Sequence, residues 1–186
     1  SDLRGLKVGL YHSLLDWHHP DFLVDDFHPQ RGEKNRAELN RGRDQKRYIA
    51  YLHGQVRELL TNYGKIDLLF FDFTYPSHPG RKNEHHEQFE GKGPEDWDAK
   101  GLVKLVRELQ PNIVLNDRLG LWDIKDDWDY KTPEQFVPKE GVTVNGMPVV
   151  WEACHTFSGS WGYHRDEQSW KSHEQIVQIL IDGVSK

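Results

Sequence analysis

One carboxylate in this chain stands directly behind a strongly apolar run. Residues 68–71 read Leu-Leu-Phe-Phe and are followed at once by Asp72. A run this short and apolar is typical of a buried parallel strand. Because α/β barrels place their catalytic groups at the C-terminal ends of strands, Asp72 is a candidate nucleophile or general base. The structural alternative is an aspartate that caps a turn.

The same pattern recurs along the chain, which favours a site over four separate turn caps. The polar groups that end the four apolar segments are His12, Asp72, Asn116 with Asp117 and Arg118, and Glu152. In a parallel sheet the C-terminal ends of the strands meet along one edge. We therefore expect these side chains to surround one substrate.

Hydrophobic periodicity predicts the elements that would position these groups. Helices are expected at 44–63, at 94–109, and from a cap at Ser169 or Ser172 to residue 184. Strands are expected at 6–11, 68–71, 112–115 and 148–151, and polar loops at 26–43, 77–95 and 120–146. Residues 26–43 offer almost nothing to bury, so we expect them on the surface. The alternation predicts an α/β fold with parallel strands and crossover helices.

The strand count falls short of a complete barrel. A TIM-type (β/α)8 barrel has eight strands and about 250 residues, whereas this chain has 186 residues and four or five predicted strands. We therefore expect a partial barrel in which residues 1–186 form the central portion of a catalytic domain. Strand edges left unpaired would associate, so one expected outcome is a homo-oligomer.

Composition narrows the classes of partner. The net charge of −6 gives no reason to expect nucleic acid or an anionic membrane. The single cysteine leaves cytoplasmic and secreted locations both open. The eleven histidines show no metal-ligand spacing, so no metal or cofactor is expected. Seven tryptophans and seven tyrosines are a weak indication of a carbohydrate ligand.

Three stretches, in order, resemble glycoside hydrolase family 29, the α-L-fucosidases. Residues 9–20, which contain Gly-Leu-Tyr-His-Ser and Asp-Trp-His-His-Pro, resemble the family's Gly-x-Tyr-Tyr-Ser and His-Pro segment. Residues 66–72 resemble the segment whose final aspartate is the nucleophile. Residues 114–118 with 151–154 and 160–163 resemble the third block. Each motif alone is weak, but the ordered set is specific.

The resemblance implies roles for individual residues. Asp72 would be the nucleophile and Glu152 the acid/base, while His12, Trp17, Arg118 and Trp161 would bind the sugar. A retaining glycosidase needs these two carboxyls about 5–5.5 Å apart. The chain departs from the family pattern with Phe70 where Trp is common, Phe73 where Gly is common and His12 where Tyr is common.

The resulting hypothesis is a retaining exo-acting α-L-fucosidase, or part of one, that releases terminal fucose from oligosaccharides or glycoconjugates. Family segments that would precede Ser1 and follow Lys186 are expected to complete the barrel. Three alternatives stay open: a non-catalytic carbohydrate-binding or structural barrel fragment, a related barrel glycosidase acting on another sugar, and a metal-dependent hydrolase.

Overall fold

A three-stranded parallel sheet is the centre of the fold in the computed structural model. The model describes residues 5–33, 35–77, 89–122 and 125–186. Strands β1 (Gly9–Ser13), β2 (Leu68–Asp72) and β3 (Val114–Leu115) lie side by side in that order. The parallel order and the helices between the strands confirm the predicted α/β class.

Strand β2 takes the middle position because one of its faces is strongly apolar. Leu69 and Phe71 are fully buried, whereas Leu68, Phe70 and Asp72 on the other face are half-buried. The chain therefore alternates along β2, although the run of four apolar residues predicted burial on both faces. The pairing runs from Gly9 opposite Leu68 to Ser13 opposite Asp72.

Two long helices cover the buried face. Helix α2 (Gln45–Asn62) begins where the Asp44 side chain accepts a hydrogen bond from the Lys46 N–H at 2.9 Å. Its apolar stripe is buried and consists of Tyr48, Leu52, Val56 and Leu60. Helix α3 (Ala99–Leu109) buries Leu102, Leu105 and Val106, among others. The two stripes and β2 form one hydrophobic core. Both predicted helices are confirmed in this core.

The helix predicted at 94–109 is divided into two parts. A 3-10 turn, Pro94–Trp97, precedes α3, and Asp98 between them has a left-handed φ of 46°. Asp98 also caps α3, because its side chain accepts a hydrogen bond from the Gly101 N–H. The polar loop predicted at 77–95 falls largely on residues 78–88, which lie outside the described residues.

The segment after β1 is more ordered than its polar sequence predicts. It contains a short helix α1 (Arg36–Leu39), and the side chains of Asp25, Asp26 and His28 are buried. Residues 26–43 lie mostly on the surface, as expected, and within them Asp26 and His28 are the buried residues among those described. Because buried carboxylates need charged partners, Asp26 pairs with Arg36 at 3.1 Å.

A buried ion pair ties this segment to the chain beyond β2. The Lys92 ammonium lies 2.5 Å from an Asp25 oxygen, which also accepts a hydrogen bond from the Tyr75 hydroxyl at 3.0 Å. Tyr75 and Lys92 form an antiparallel bridge, with the Tyr75 N–H donating to the Lys92 carbonyl at 2.9 Å. Desolvation lowers the pKa of Lys92.

By its internal contacts the chain divides into two compact units, Ser1–Trp128 and Asp129–Lys186. In the second unit, β4 (Thr143–Val144) and β5 (Met147–Pro148) form an antiparallel hairpin. The strand predicted at 148–151 is therefore only partly confirmed, since Pro148 belongs to the antiparallel hairpin whereas Trp151 makes a parallel bridge. Residues beyond the hairpin make two isolated parallel bridges, Lys131 to Trp151 and Glu134 to Cys154.

The last helix, α4 (His173–Val184), is capped by Ser172, which is one of the two caps predicted from the sequence. Ser172 and Gln175 form a reciprocal capping box at its first turn. In the part of the chain that the structure describes, no helix combines the length and apolar character needed to cross a bilayer.

Candidate active site

The Asp72 carboxylate lies at the C-terminal end of β2 and is held by three donors. Its Oδ2 accepts a hydrogen bond from the Tyr11 hydroxyl at 2.8 Å. Its Oδ1 lies 2.9 Å from Nη1 of Arg118 and also accepts from the Phe73 N–H at 2.9 Å. The side chains of Asp72 and Arg118 are 20% and 16% exposed. The carboxylate is thus partly desolvated, fixed in orientation and faced by a positive charge.

Arg118 and Tyr11 share a common aromatic support. The guanidinium carbon of Arg118 lies 5.2 Å from the centre of the Phe70 ring, and the Tyr11 ring stacks on Phe70 at 5.8 Å. A guanidinium over an aromatic face is attracted by the ring quadrupole. Both side chains that bind Asp72 therefore lie on the same face of the sheet as Phe70.

The chain that leaves β2 is fixed directly after Asp72. Phe73 has a φ of 78°, a left-handed conformation that is strained for a residue with a side chain. The next residue, Thr74, donates its hydroxyl hydrogen to the Arg118 carbonyl at 2.7 Å. A Cβ at Gly120 would lie 2.8 Å from a Thr74 methyl carbon, so only glycine fits there.

Asn116, two residues before Arg118, binds the backbone of β2. Asn116 is 1% exposed. Its Oδ1 accepts a hydrogen bond from the Phe71 N–H at 2.9 Å, and its Nδ2 donates to the Phe71 carbonyl at 2.7 Å. Asp117 is also buried. The predicted triplet at the end of β3 therefore does lie beside the end of β2.

His12 is not brought to Asp72. Its ring contacts Phe71 edge-on at 5.9 Å, on the face that packs against the helices. Burial lowers the pKa of His12, and its Nδ1 has no hydrogen-bond partner among the described residues. Side chains alternate along a strand, so Tyr11 instead faces Asp72. A role for His12 in sugar binding stays a prediction.

Tyr11 is the site residue that the sequence reasoning missed. The signal was present, since Tyr11 and Asp72 fall on one face once β1 and β2 are paired Tyr11 to Phe70 and Ser13 to Asp72. That register depends on contacts about sixty residues apart along the chain. Local patterns in the sequence do not give it.

Trp17 lies in the first unit, in the ordered segment after β1. It is 41% exposed, and its ring packs edge-on against His28 at 6.5 Å. The His28 Nε2 donates to the Trp17 carbonyl, while Nδ1 accepts from the Gln30 N–H. This pair of contacts fixes the neutral tautomer, and burial lowers the pKa of His28.

Glu152 and Trp161 belong to the second unit, and both are exposed. The Glu152 N–H donates to the Lys131 carbonyl at 2.8 Å. The loop that carries Trp161 is held by Glu167, which accepts hydrogen bonds from the Ser169 N–H at 2.8 Å and the Ser160 hydroxyl at 3.1 Å. Hydrogen bonds from Ser169 are the main reason that the pKa of Glu167 is lowered to about 2.

Among the described residues, no group of three or more His, Cys, Asp or Glu side chains is arranged to hold a metal ion. The chemistry available at the end of β2 is that of a carboxylate with a cation and two further hydrogen-bond donors. Such a group is suited to attack an electrophilic carbon or to activate water.

The fold and site define an α/β protein with a carboxylate at the C-terminal end of a central parallel strand. Comparison with known families gives the particular group: the alpha-L-fucosidase family model matches residues 2–186. The chain belongs to this family, which confirms the resemblance found in the sequence.

Individual relatives agree with this assignment. The solved structure of alpha-L-fucosidase isoenzyme 1 from Paenibacillus thiaminolyticus is 42% identical, with a TM-score of 0.79 over 98% of this chain and 41% of that one. Alpha-L-fucosidase from Vibrio sp. strain EJY3 is 25% identical, with a TM-score of 0.68 over 97% of this chain and 28% of its own. Plasma alpha-L-fucosidase of Homo sapiens is 26% identical over 191 residues.

The matches differ in how much of each protein they include. The human plasma enzyme is matched over 97% of this chain but 33% of its own length. The chain therefore spans about a third of the length of the curated relatives it matches.

Proposed function

We propose that this chain carries the catalytic nucleophile of a retaining exo-α-L-fucosidase, an enzyme that releases terminal α-L-fucose from oligosaccharides or glycoconjugates. The observation that supports this most strongly is the fixed Asp72 carboxylate with Tyr11 and Arg118, in a member of the alpha-L-fucosidase family. Glycoside cleavage needs such a carboxylate beside the anomeric carbon, because the transition state carries positive charge there.

In the proposed reaction an Asp72 oxygen attacks the anomeric carbon of fucose. The bond from that carbon to the glycosidic oxygen breaks, and the leaving oxygen takes a proton from an acid. A water molecule then attacks the anomeric carbon, the conjugate base of the acid takes the water proton, and Asp72 is released as a carboxylate. Arg118 and Tyr11 hold Asp72 in the orientation for attack and stabilise its charge before the sugar binds.

Glu152 is our first candidate for the acid, on the resemblance of residues 151–154 to the family's third block; a retaining mechanism needs its acid and its nucleophile about 5–5.5 Å apart. Asp117 is a second candidate. It precedes Arg118, is buried, and lies in the same unit as Asp72. Its position directly before Arg118, whose guanidinium binds Asp72, favours testing Asp117 beside Glu152.

The acid can be identified from leaving-group dependence. Replacing it with alanine should slow substrates with poor leaving groups far more than aryl fucosides, because an activated aryl oxide needs little protonation. We would measure kcat/KM of Glu152→Ala and Asp117→Ala on both kinds of substrate. Equal losses on both substrates would remove that residue as the acid.

The fold we propose is a partial (β/α)8 barrel, with residues 1–186 as the central portion of one catalytic domain. Three observations support it: the parallel order of β1, β2 and β3, the helices on one face of the sheet, and the polar groups at the strand ends. In the described sheet β1 and β3 are the edge strands. A homo-oligomer formed through these edges stays a proposal, which sedimentation at several concentrations would test.

The proposed activity is tested with an aryl α-L-fucoside. We expect hydrolysis that gives α-fucose first and is unchanged by a strong chelator. Asp72→Gly should be inactive, and added azide should restore product of the opposite, β configuration, because azide enters from the face that Asp72 leaves open. Release of β-fucose by the unsubstituted protein would contradict the retaining mechanism.

The same assay separates the alternatives. Binding of fucose without turnover would favour the non-catalytic carbohydrate-binding fragment. Faster hydrolysis of a different aryl glycoside would favour a related glycosidase, and loss of activity with chelator would favour a metal-dependent hydrolase.

A further inference from the structure

A side chain continues the sheet where the backbone of β3 stops. The backbones of β2 and β3 pair only at Leu68 with Val114 and Leu69 with Leu115. One step further along, the Asn116 amide binds both the N–H and the carbonyl of Phe71, at 2.9 and 2.7 Å. An amide group has the same donor and acceptor as a peptide unit, so it reproduces the two bonds that a further strand residue would make.

Because the Asn116 side chain makes these two bonds, the backbone of residue 116 is free to turn away from the sheet. The chain can then direct Arg118 back over Phe70 and onto Asp72, which a continuing strand would not allow. At the same time the Asn116 side chain fixes Phe71, the residue directly before Asp72. Both members of the Asp72–Arg118 pair therefore depend on one buried amide.

We propose that Asn116 is a positioning residue that sets the geometry of the Asp72–Arg118 pair for nucleophilic attack. This inference rests on the proposed function, and it concerns how that site is built. Asn116 acts through Phe71 and Arg118 and does not touch the sugar. Its loss should slow the attack step more than it weakens sugar binding, since small displacements of a nucleophile lower its effective concentration.

The chain offers a matched control at the other end of β2. Gln110 accepts a hydrogen bond from the Ile66 N–H at 2.9 Å and donates to the carbonyls of Leu60 and Gly64 at 2.9 and 3.0 Å. It thus makes the same kind of amide-to-backbone contact far from Asp72. Gln110→Ala should lower thermal stability without disturbing the pair.

The experiment measures covalent labelling of Asp72 by a 2-deoxy-2-fluoro-fucosyl fluoride, followed by intact mass. This reagent has a good leaving group and stalls after nucleophilic attack, so it reports that step alone. At temperatures equally far below each melting point, we expect Asn116→Ala to slow labelling about a hundredfold. Gln110→Ala should stay within about threefold of the unsubstituted protein. Equal rates for the two variants would overturn the proposal.

A second variant covers the case in which Asn116→Ala does not fold. Asn116→Asp keeps the acceptor for the Phe71 N–H but loses the donor to the Phe71 carbonyl unless the new carboxyl is protonated. Its labelling rate, relative to the unsubstituted protein, should therefore rise as the pH is lowered. A constant ratio between pH 4 and 8 would contradict a positioning role.

The two proposals fail in different ways. If the unsubstituted protein is not labelled at all, the proposed function is wrong. If it is labelled and Asn116→Ala is labelled as fast as Gln110→Ala, the function stands and the role of Asn116 is wrong. Amide hydrogen exchange at Phe71 adds a readout that needs no activity: it should speed up in Asn116→Ala and not in Gln110→Ala, and unchanged exchange would refute the role.

Discussion

The two ends of strand β2 each carry an aspartate, and burial does not distinguish them. The side chain of Asp67, at the N-terminal end, is 19% exposed, and that of Asp72, at the C-terminal end, is 20% exposed. Each carboxylate is paired with a cation and accepts a backbone N–H. Exposure alone would give both the same prospects as a catalytic group.

The partners make the difference. Asp67 accepts the Val8 N–H and pairs with Lys65 and Lys7, whose side chains are 59% and 77% exposed. Such solvent-exposed pairs are screened and contribute little. Asp72 is held by a tyrosine from one neighbouring strand and an arginine that follows the other. A carboxylate is thus prepared for chemistry by rigid partners from separate strands, more than by its own burial.

The sharpest way to break this comparison is to neutralise each aspartate in turn. Asp72→Asn should lower turnover of an aryl fucoside on the order of 10⁴-fold or more, because no covalent intermediate can form. Asp67→Asn should change kcat by less than about twofold. Steady-state kinetics on both variants would show it, and comparable losses would mean that Asp72 has no special role.

Tyrosine-to-phenylalanine changes give a smaller effect at the same two ends. Tyr11→Phe removes one hydrogen bond to Asp72 and should lower kcat/KM about tenfold or more, as for other donors that stabilise a reacting oxygen. Tyr63 is a matched control, because its exposed hydroxyl donates to Glu58 at 3.0 Å near the other end of β2. Tyr63→Phe should leave kcat/KM unchanged, and a similar loss would point to a general effect on stability.

Two residues with a left-handed backbone conformation, Gly64 and Phe73, extend the comparison to the free energy of unfolding. Gly64 has a φ of 82° with open space around its Cα, so Gly64→Ala should destabilise the fold by about 1–2 kcal/mol through its conformation alone. Phe73 has a similar φ of 78° but carries a ring. Phe73→Gly should therefore change the free energy of unfolding by less than about 1 kcal/mol, because relief of strain offsets the lost side chain. Urea denaturation of both variants measures this, and a large loss at Phe73 would mean that its ring is needed for stability.

The smallest expected effect is a pH dependence at Asp67. The hydrogen bond from Lys65 is the main reason that the pKa of Asp67 is lowered in the folded state. Its contribution to stability is therefore present above the pKa of the unfolded chain and is lost as pH falls through the folded value. Asp67→Asn should be slightly less stable than the unsubstituted protein at pH 7, and the two should converge at acidic pH. A constant gap in urea midpoints would contradict this.

Local sequence patterns predicted the elements around β2 and little of their pairing. Helix α2 and strand β2 were found because their apolar periods are strong and their ends are marked by Asp44, Gly64 and Asp72. The first strand begins at Gly9 instead of residue 6, because the register with Leu68 decides where pairing starts. That choice involves residues 59 positions away in the sequence and has no local signal.

The hairpin of β4 and β5, which the sequence analysis did not predict, has a local signal in the sequence. Asn145 and Gly146 both have positive φ, at 51° and 79°, as a tight hairpin turn requires. Asn-Gly between two short apolar runs indicates an antiparallel hairpin. The apolar run at 148–151 by itself indicates a strand but does not say that its first residue, Pro148, pairs antiparallel with Thr143. The prediction that Asp72 and Arg118 lie close together is confirmed, because the ends of β2 and β3 converge there.

The bridge between Tyr75 and Lys92 has a practical consequence for protein engineering. The buried Asp25 carboxylate ties both side chains to the segment after β1, because it accepts a hydrogen bond from the Tyr75 hydroxyl and pairs with the Lys92 ammonium. Engineering of this protein should therefore leave Asp25, Tyr75 and Lys92 unchanged, since these three residues join the chain after β1 to the chain after β2.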